Sequence, residues 1–328
     1  MSSTVKTYVF VISIALYLLL GPATAAEPWN VLDIDFPDPA VISTDDGYYA
    51  FATSNGTINA QVAHSSDFNS WVLLDGVDAL PGPFPDWVDE KEHPDIWAPD
   101  VIQLNDGTFV MYFSATARDD PSKHCVGAAT SQSVKGPYKP EANVISCPLE
   151  QGGAIDASAF LDDDGTRYIV YKVDGNSLNT GDDMHPTPIM LQRMEADAVT
   201  PTGDPIQLID RGNADGPLVE APSLVHRDGV YYLSFSSNMF NTMYYDMSWA
   251  TASSITGPWT KSTDPGAPLL SSGDMSTAGP LGGPGGADFR EDGAAILFHA
   301  FNNGKDTQDG RGTWAANIKL ADGKITLA

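Results

Sequence analysis

The chain has 328 residues, long enough for one large β-rich domain, and no low-complexity linker divides it. Its 43 acidic and 17 basic side chains give a net charge of -26, which argues against nucleic acid, anionic membranes and polyanionic sugars as partners because like charges repel. We therefore expect a neutral substrate, with no nucleic-acid and no membrane partner. We also expect the protein to be a monomer.

The chain begins with a predicted secretory signal peptide over residues 1–26. A lysine precedes an almost wholly apolar run from Tyr8 to Leu20, and small residues follow up to Ala26. A membrane anchor is the alternative, but the apolar run has about 13 residues, whereas spanning a bilayer takes roughly 20. We therefore expect a secreted, extracellular protein whose single mature domain covers residues 27–328.

After this segment, one pattern occurs five times: an Asp-Gly turn followed by a strand rich in aromatic and β-branched residues. The turns are Asp46-Gly47, Asp106-Gly107, Asp164-Gly165, Asp228-Gly229 and Asp292-Gly293. Asp-Gly is a strong hairpin signal because glycine adopts positive φ without steric cost. The glycines recur every 58 to 64 residues, which suits four short strands with their loops. We predict an all-β fold, a five-bladed β-propeller with four antiparallel strands per blade; a β-sandwich, the alternative, rarely shows a fixed long period.

Two cysteines occur in the chain, Cys125 and Cys147. Export into an oxidising compartment favours their pairing. They flank the turn-like segment 134–138, so we expect a structural disulfide between neighbouring strands of one blade.

Three carboxylic acids share one position in the repeat. Nine residues before the turn glycine, the first, third and fourth units carry Asp38, Asp156 and Glu220, whereas the other two carry Ala98 and Pro284. Because the first strand of each blade lines the central channel of a propeller, the three acids should meet near the axis. The alternatives are strand-start acids of a very acidic protein, or ligands of a structural cation. Three acids at one offset favour an active site.

Glycoside hydrolysis is a chemistry that such a set could perform. One carboxylic acid protonates the leaving oxygen, a second carboxylate activates water or attacks the sugar, and a third tunes the first by like-charge repulsion. The sequence shows no Gly-x-Ser-x-Gly elbow, no His-Glu-x-x-His pair and no phosphate-binding loop with a lysine.

The motifs around these acids resemble glycoside hydrolase family 43, whose members are five-bladed propellers that act on arabinans and xylans. The strings are Phe36-Pro37-Asp38-Pro39, Ile155-Asp156-Ala157 and Glu220-Ala221-Pro222, in the order and spacing of that family. The resemblance implies Asp38 as general base, Asp156 as pKa modulator and Glu220 as general acid. It also implies inversion of the anomeric carbon, for which Asp38 and Glu220 should lie about 6.5 to 9.5 Å apart.

Four further residues are candidates for the substrate or a metal. Trp97 and Phe36 could stack on a sugar face, although a buried blade aromatic is the alternative. Arg290 could pair with Asp156 or bind substrate, with a plain salt bridge as the alternative. His299 matches the position of a central histidine that lies beside a cation, often calcium, in arabinanases of the family; a lone histidine is also a common core residue. The chemistry itself requires no cofactor.

The resemblance favours an exo-acting enzyme that releases arabinose from α-1,5-linked arabinan or arabino-oligosaccharides of the plant cell wall. The segments 282–288 and 298–304 are similar to those of exo-acting members. The enzymatic alternatives are a β-xylosidase or an endo-arabinanase on the same fold. A fructan hydrolase is disfavoured because the Asn-Asp-Pro-Asn string is missing, and a carbohydrate-binding propeller without catalysis would not need all three acids.

Overall fold

The computed structural model describes residues 26–91, 94–181, 183–263 and 266–328. The predicted signal peptide lies outside these ranges, apart from Ala26. None of the helices within them has the length and apolar character that crossing a membrane requires.

The described residues form short strands joined by loops. In chain order the strands are β1 (Trp29–Leu32), β2 (Ala40–Thr44), β3 (Gly47–Ala52), β4 (Gln61–Ser65), β5 (Val72–Leu73), β6 (Trp97–Gln103), β7 (Phe109–Thr116), β8 (His124–Ser131), β9 (Lys139–Pro140), β10 (Ala154–Leu161), β11 (Arg167–Val173), β12 (Ile189–Met194), β13 (Ile206–Ile209), β14 (Val219–Arg227), β15 (Val230–Ser237), β16 (Asp246–Ala252), β17 (Thr260–Lys261), β18 (Met275–Ser276), β19 (Gly279–Pro280), β20 (Gly285–Phe289), β21 (Ala295–Phe301), β22 (Arg311–Ala321) and β23 (Lys324–Leu327). Short 3-10 helices lie in the loops, at Leu149–Gln151, Gly175–Leu178, Asn213–Asp215 and Thr307–Asp309.

These strands build the predicted five-bladed propeller. The first four blades are antiparallel sheets of consecutive strands, β2–β5, β6–β9, β10–β13 and β14–β17. The first two strands of every blade are joined by one of the five Asp-Gly turns, as in the fourth blade, where Arg227 pairs with Val230 across Asp228 and Gly229. Gly229 has φ 77°, the conformation that makes glycine the favoured residue there. The prediction from the repeat is confirmed.

The fifth blade is completed by the first strand of the described chain. Its order is β20, β21, β22 and then β1, which pairs with β22 through Trp29 and Ala315, while β23 also pairs with β22. The sequence repeat did not predict that β1 would complete the fifth blade. Because both ends of the described chain enter one blade, the ring is closed by strand hydrogen bonds.

The hydrophobic core is divided among the five contacts between blades. Each of five clusters contains residues of two neighbouring blades; the one between the first and second blades includes Phe51, Val62, Met111 and Phe113. Middle strands are therefore covered on both faces, and β7 is buried at all eight positions. This explains why these strands read as almost continuous apolar runs.

The disulfide between Cys125 and Cys147 is present. Cys125 lies on β8, whereas Cys147 lies in the segment after the outer strand β9, where Ser146 forms a bridge with Val126 of β8. The bridge thus joins β8 to the chain that returns alongside it, and the second partner is a loop residue where the sequence had predicted a strand.

Candidate active site

The inner strand of every blade reaches the channel with one residue in the left-handed backbone region. These residues are Asp38 (φ 55°), Ala98 (φ 42°), Asp156 (φ 58°), Ala221 (φ 49°) and Gly286 (φ 58°). In the second to fifth blades the residue sits in a β-bulge, where two residues of the inner strand oppose one of the next strand. All five line one cavity of about 50 Å³, room for a few water molecules. Backbone strain of this kind is typical of functional sites.

The three predicted acids approach one another, but they do not share one repeat position. Asp38 and Asp156 occupy the left-handed position itself, whereas Glu220 lies one residue before Ala221, which occupies it. The hairpin that follows is shorter in the fourth blade than in the third, so the count from the turn glycine is off by one. The negative charges of Glu220 and Asp38 both act on Asp156. The structure therefore corrects the shared offset and brings the predicted acids together.

Asp38 is held as a carboxylate. Thr53 Oγ1 donates a hydrogen bond to Oδ2 at 2.7 Å, and Arg311 Nη1 lies 3.1 Å from Oδ1. Burial raises the pKa of Asp38, but the Arg311 guanidinium and the hydrogen bonds from His299 and Thr53 outweigh it and hold the pKa well below its usual range. Asp38 is therefore ionised and able to accept a proton at neutral pH.

Asp156 lies close enough to the other two acids for both of their negative charges to raise its pKa. Its backbone N–H donates to Ser114 Oγ at 3.1 Å, and its Oδ2 accepts the Ala221 N–H at 2.9 Å. Burial and the charge of Glu220 raise its pKa to about 8, although Lys172 opposes the shift. The raised pKa of Asp156 means that the acid cluster retains a proton at neutral pH.

Glu220 is bonded to a buried lysine that the sequence analysis did not single out. Lys172 Nζ lies 2.8 Å from Glu220 Oε2 and 2.9 Å from Asp174 Oδ1, and its side chain is fully buried. Burial lowers the pKa of Lys172, but the carboxylates of Glu220 and Asp174 raise it by more, so the ammonium form is retained. A signal was available: Lys172 follows its turn glycine by seven residues, and Ser114 and Ser236 occupy the same offset in their blades.

His299 lies against Asp38 at the centre of the site. Its Nδ1 is 3.1 Å from the Asp38 backbone N–H and 3.2 Å from Asp38 Oδ1, and its ring stacks on Tyr245. Nε2 is buried and has no hydrogen-bond partner among the described residues. If Nδ1 donates to the Asp38 carboxylate, Nε2 offers a lone pair; if Nδ1 accepts the backbone N–H, Nε2 carries the proton.

Nε2 of His299 could serve as a ligand to a cation in the tautomer that leaves its lone pair free. Among the described residues, the one group of three acids and histidines close enough to hold an ion is Asp162, Asp163 and His226, and it does not include His299. Calcium takes six to eight oxygen ligands, so a cation at His299 would keep mostly water around it. His299 is the residue that would hold it, and its charge would stabilise the ionised form of Asp38.

The two aromatic residues predicted to stack on a sugar lie in different environments. Trp97 precedes Ala98 at the channel, is 36% exposed and stacks on His124 with 3.5 Å between ring centroids, which leaves indole surface available to a sugar. Phe36 has no exposed surface and packs in the core between the fifth and first blades. The structure thus offers Trp97 as a stacking surface and assigns Phe36 to the core.

Arg290 lies away from the acids and does not pair with Asp156. Its guanidinium bonds Asp292 at 2.7 and 2.8 Å and lies over the ring of Phe68. It lines an adjoining cavity of about 510 Å³, whose lining does not include Asp38 or Asp156. The arginine of the site is Arg311, which the sequence analysis missed; it lies beside Asp38 and 4.7 Å from the ring centroid of the half-exposed Phe240.

Two more carboxyl groups, those of Asp288 and Asp100, line the cavity and join blades. Asp288 Oδ2 accepts the Val41 N–H at 2.8 Å, and Asp100 Oδ2 accepts the Ala159 N–H at 2.6 Å. Burial raises the pKa of Asp288 to about 8 and that of Asp100 to about 6. Each acid thus bonds the backbone of the next blade, a structural role.

Comparison with known proteins agrees with this architecture. The model of the glycosyl hydrolases family 43 matches residues 29–325. The extracellular endo-α-(1→5)-L-arabinanase 1 of Bacillus subtilis (strain 168) is 28% identical over 294 residues, which cover 86% of this chain and 84% of that protein. A putative β-xylosidase of Escherichia coli (strain K12) is 33% identical over 147 residues, which cover 42% of this chain and 24% of that protein.

A solved structure, that of a thermostable family-43 glycoside hydrolase, superposes with a TM-score of 0.72 at 27% identity and covers 93% of this chain and 96% of its own. Its coverage shows that the likeness extends over nearly the whole propeller. Enzymes of the family need no cofactor for catalysis. This chain belongs to the glycosyl hydrolases family 43.

Proposed function

We propose that Asp38 is the general base, Glu220 the general acid and Asp156 the pKa modulator of an inverting glycoside hydrolase. The observation that carries this assignment is the different state of the acids: Asp38 is held ionised, whereas Asp156 and Glu220 lie together beside Lys172 in a cluster that retains a proton, which Glu220 can pass to the glycosidic oxygen. Carboxyl groups of opposed protonation around one site are what acid–base hydrolysis of a glycoside requires.

The reaction then follows from the positions of the protons. Glu220 donates a proton to the glycosidic oxygen as its bond to the anomeric carbon breaks. Asp38 removes a proton from the water whose oxygen bonds that carbon from the opposite face. The products are a free sugar of inverted configuration and the shortened alcohol. Solvent then takes the proton from Asp38 and returns one to Glu220.

The proposed substrate is an α-L-arabinofuranosidic, α-1,5-linked chain cleaved from its end, with Trp97 as a stacking surface. Two observations support it. A relative that matches most of this chain is named an α-(1→5)-L-arabinanase. The two segments whose sequence is similar to that of exo-acting members also pack together, since the Phe301 N–H donates to Gly282 O at 2.8 Å, and residues 286–288 of the first segment line the cavity. The predicted signal peptide and the extracellular relative support secretion.

Product analysis tests the substrate and the mode of attack. The secreted protein is incubated with linear arabinan and, separately, with xylo-oligosaccharides, and the products are identified by chromatography. Arabinose alone is the expected result. A ladder of arabino-oligosaccharides would show endo action in place of exo action, as the name of the Bacillus subtilis relative states for that protein. Release of xylose would show that the substrate is a xylan-type chain and not arabinan. Binding of arabinan without any product would show a carbohydrate-binding propeller without catalytic activity.

The pH dependence of hydrolysis should depend on Arg311. Its positive charge lowers the pKa of Asp38, so Arg311→Met should raise that pKa, and the base would be protonated at a higher pH. We expect the acid limb of kcat/KM to move to higher pH by about one to three units. The matched control is Arg290→Met, which removes an arginine that does not contact the acids. A similar shift in both variants, or none in the first, would contradict the role of Arg311.

A further inference from the structure

The second strand of each blade brings one polar side chain to the channel, at its end or just beyond it. These side chains are Thr53, Ser114, Lys172, Ser236 and His299, and all five are buried. They follow their turn glycines by six or seven residues, so they occupy equivalent positions in the five blades.

At four of the five positions the side chain joins its blade to the next one at a backbone N–H group: the three hydroxyl oxygens accept it, and His299 Nδ1 accepts it in the tautomer that carries its proton on Nε2. The acceptors and donors are Thr53 Oγ1 with Ala98 N–H at 2.9 Å, Ser114 Oγ with Asp156 N–H at 3.1 Å, Ser236 Oγ with Gly286 N–H at 2.8 Å and His299 Nδ1 with Asp38 N–H at 3.1 Å. Each donor is the left-handed residue of the following blade.

Lys172 breaks this pattern because an ammonium group has three donors and no acceptor. It cannot accept the N–H of Ala221, and Asp156 Oδ2 accepts that N–H instead. The ammonium group donates to Glu220 Oε2 and lies next to Asp174. A donor at this position thus provides a partner for two carboxyl groups, those of Glu220 and Asp174.

The cost of this arrangement indicates a purpose beyond stability. Burying the ammonium group of Lys172 with the carboxylate of Asp174 removes two charges from water, and a neutral side chain would be the less costly way to join two blades. Hydrogen bonds from described residues reach Glu220 at Oε2 alone. Because Oε2 accepts from the ammonium group, Oε1 is the oxygen left free to carry the proton that Glu220 gives up, and the side chain keeps 11% exposure through which it can meet a substrate.

We propose that Lys172 is a positioning residue for the proton transfer: it fixes Oε2 of Glu220, so that Oε1 carries the proton and faces the leaving oxygen. The proposal rests on the assignment of Glu220 as the general acid. Lys172 acts through Glu220 and does not itself touch the reacting atoms. Its loss should therefore impair protonation of the leaving group specifically, with little change in substrate binding.

The test compares two substrates of the same sugar, a 4-nitrophenyl glycoside and a methyl glycoside, in the full chain. The first leaving group departs with little protonation, whereas the second requires it. Lys172→Met should lower kcat by about 100-fold or more on the methyl glycoside and by less than about tenfold on the 4-nitrophenyl glycoside, since general acid catalysis contributes roughly 10² to 10⁴. KM should change little on either.

The matched control is Ser236→Ala, which removes a side chain at the same position of the next blade and one bond between blades. It should lower the melting temperature without changing the ratio of the two kcat values. If Lys172→Met lowers both rates equally, or lowers neither, while its melting temperature shows a folded protein, Lys172 has no positioning role.

A second variant keeps the test decisive if Lys172→Met does not fold. The double variant Lys172→Met with Asp174→Asn removes the ion pair without leaving Asp174 as an unpaired buried charge, and the same selective loss is expected. Glu220→Gln serves as the reference. If it loses activity equally on both substrates, the assignment of Glu220 fails; if it is selective and the lysine variants are not, only the role of Lys172 fails.

Discussion

Replacing Glu220 with alanine should abolish hydrolysis of unactivated arabinosides and largely spare substrates with good leaving groups. The variant lacks the proton donor, and a poor leaving group cannot depart as an alkoxide, whereas a nitrophenolate can. General acid catalysis contributes about 10² to 10⁴, so we expect kcat on arabino-oligosaccharides to fall by at least that factor. Rates on arabinan oligomers and on a 4-nitrophenyl arabinoside measure it.

The control for this variant is another buried carboxylate of the channel. Asp288→Asn removes an acid whose raised pKa already keeps it protonated at neutral pH, and the amide can still accept the Val41 N–H. It should retain most activity on both substrates. Equal loss on both substrates in Glu220→Ala would contradict the role of Glu220 as general acid.

Replacing Asp38 with alanine should remove activity on every substrate, whatever its leaving group. The water molecule then has no base, and a better leaving group does not supply one. We expect kcat to fall by about 10² to 10⁴ on both the activated and the unactivated substrate. Parallel rate measurements distinguish this uniform loss from the selective loss in the Glu220 variant.

Azide provides a positive control, because it is a nucleophile that needs no deprotonation. Added to Asp38→Ala with an activated arabinoside, azide should restore cleavage and yield a glycosyl azide of inverted configuration. Rescue by azide shows that the variant is folded and that the lost group served the attacking water. Failure of rescue, or a product of retained configuration, would contradict the assignment.

The fold could be predicted from the sequence because one local signal recurs. Each Asp-Gly turn joins two strands by backbone geometry alone, and five turns at nearly constant spacing define five similar units. The closure of the ring was not predictable in this way. β1 pairs with β22 at the other end of the chain, and a contact at that separation leaves no local pattern.

The acids were predictable for the same reason, with an error that has a physical cause. The number of residues from the turn glycine back to the channel depends on hairpin length, which differs between blades. A count of nine therefore misses the left-handed channel residue in the fourth and fifth blades. Arg290 lies four residues beyond Gly286, and at about 3.3 Å per residue a strand carries it roughly 13 Å from the channel residue. Arg311 enters the site from a different strand, so spacing along the inner strands could not find it.

The buried partners of the acids could not be predicted from the sequence, for a different reason. Lys172 in the string Tyr171-Lys172-Val173 looks like one charge in an apolar strand, and its contact with Glu220 is made across two blades. Comparison of the second strands at a common offset would have shown a lysine among serines. It would not have shown which carboxylate that lysine holds.

The configuration of the first product tests the central claim most directly. Asp38 and Glu220 from different blades are proposed to act on opposite faces of one sugar, with a water molecule between Asp38 and the anomeric carbon. Proton NMR of the reaction in its first minutes, before mutarotation, should show the β anomer of arabinofuranose from an α-linked substrate. Initial formation of the α anomer would show retention and would contradict the assignment of Asp38 as a base acting through water.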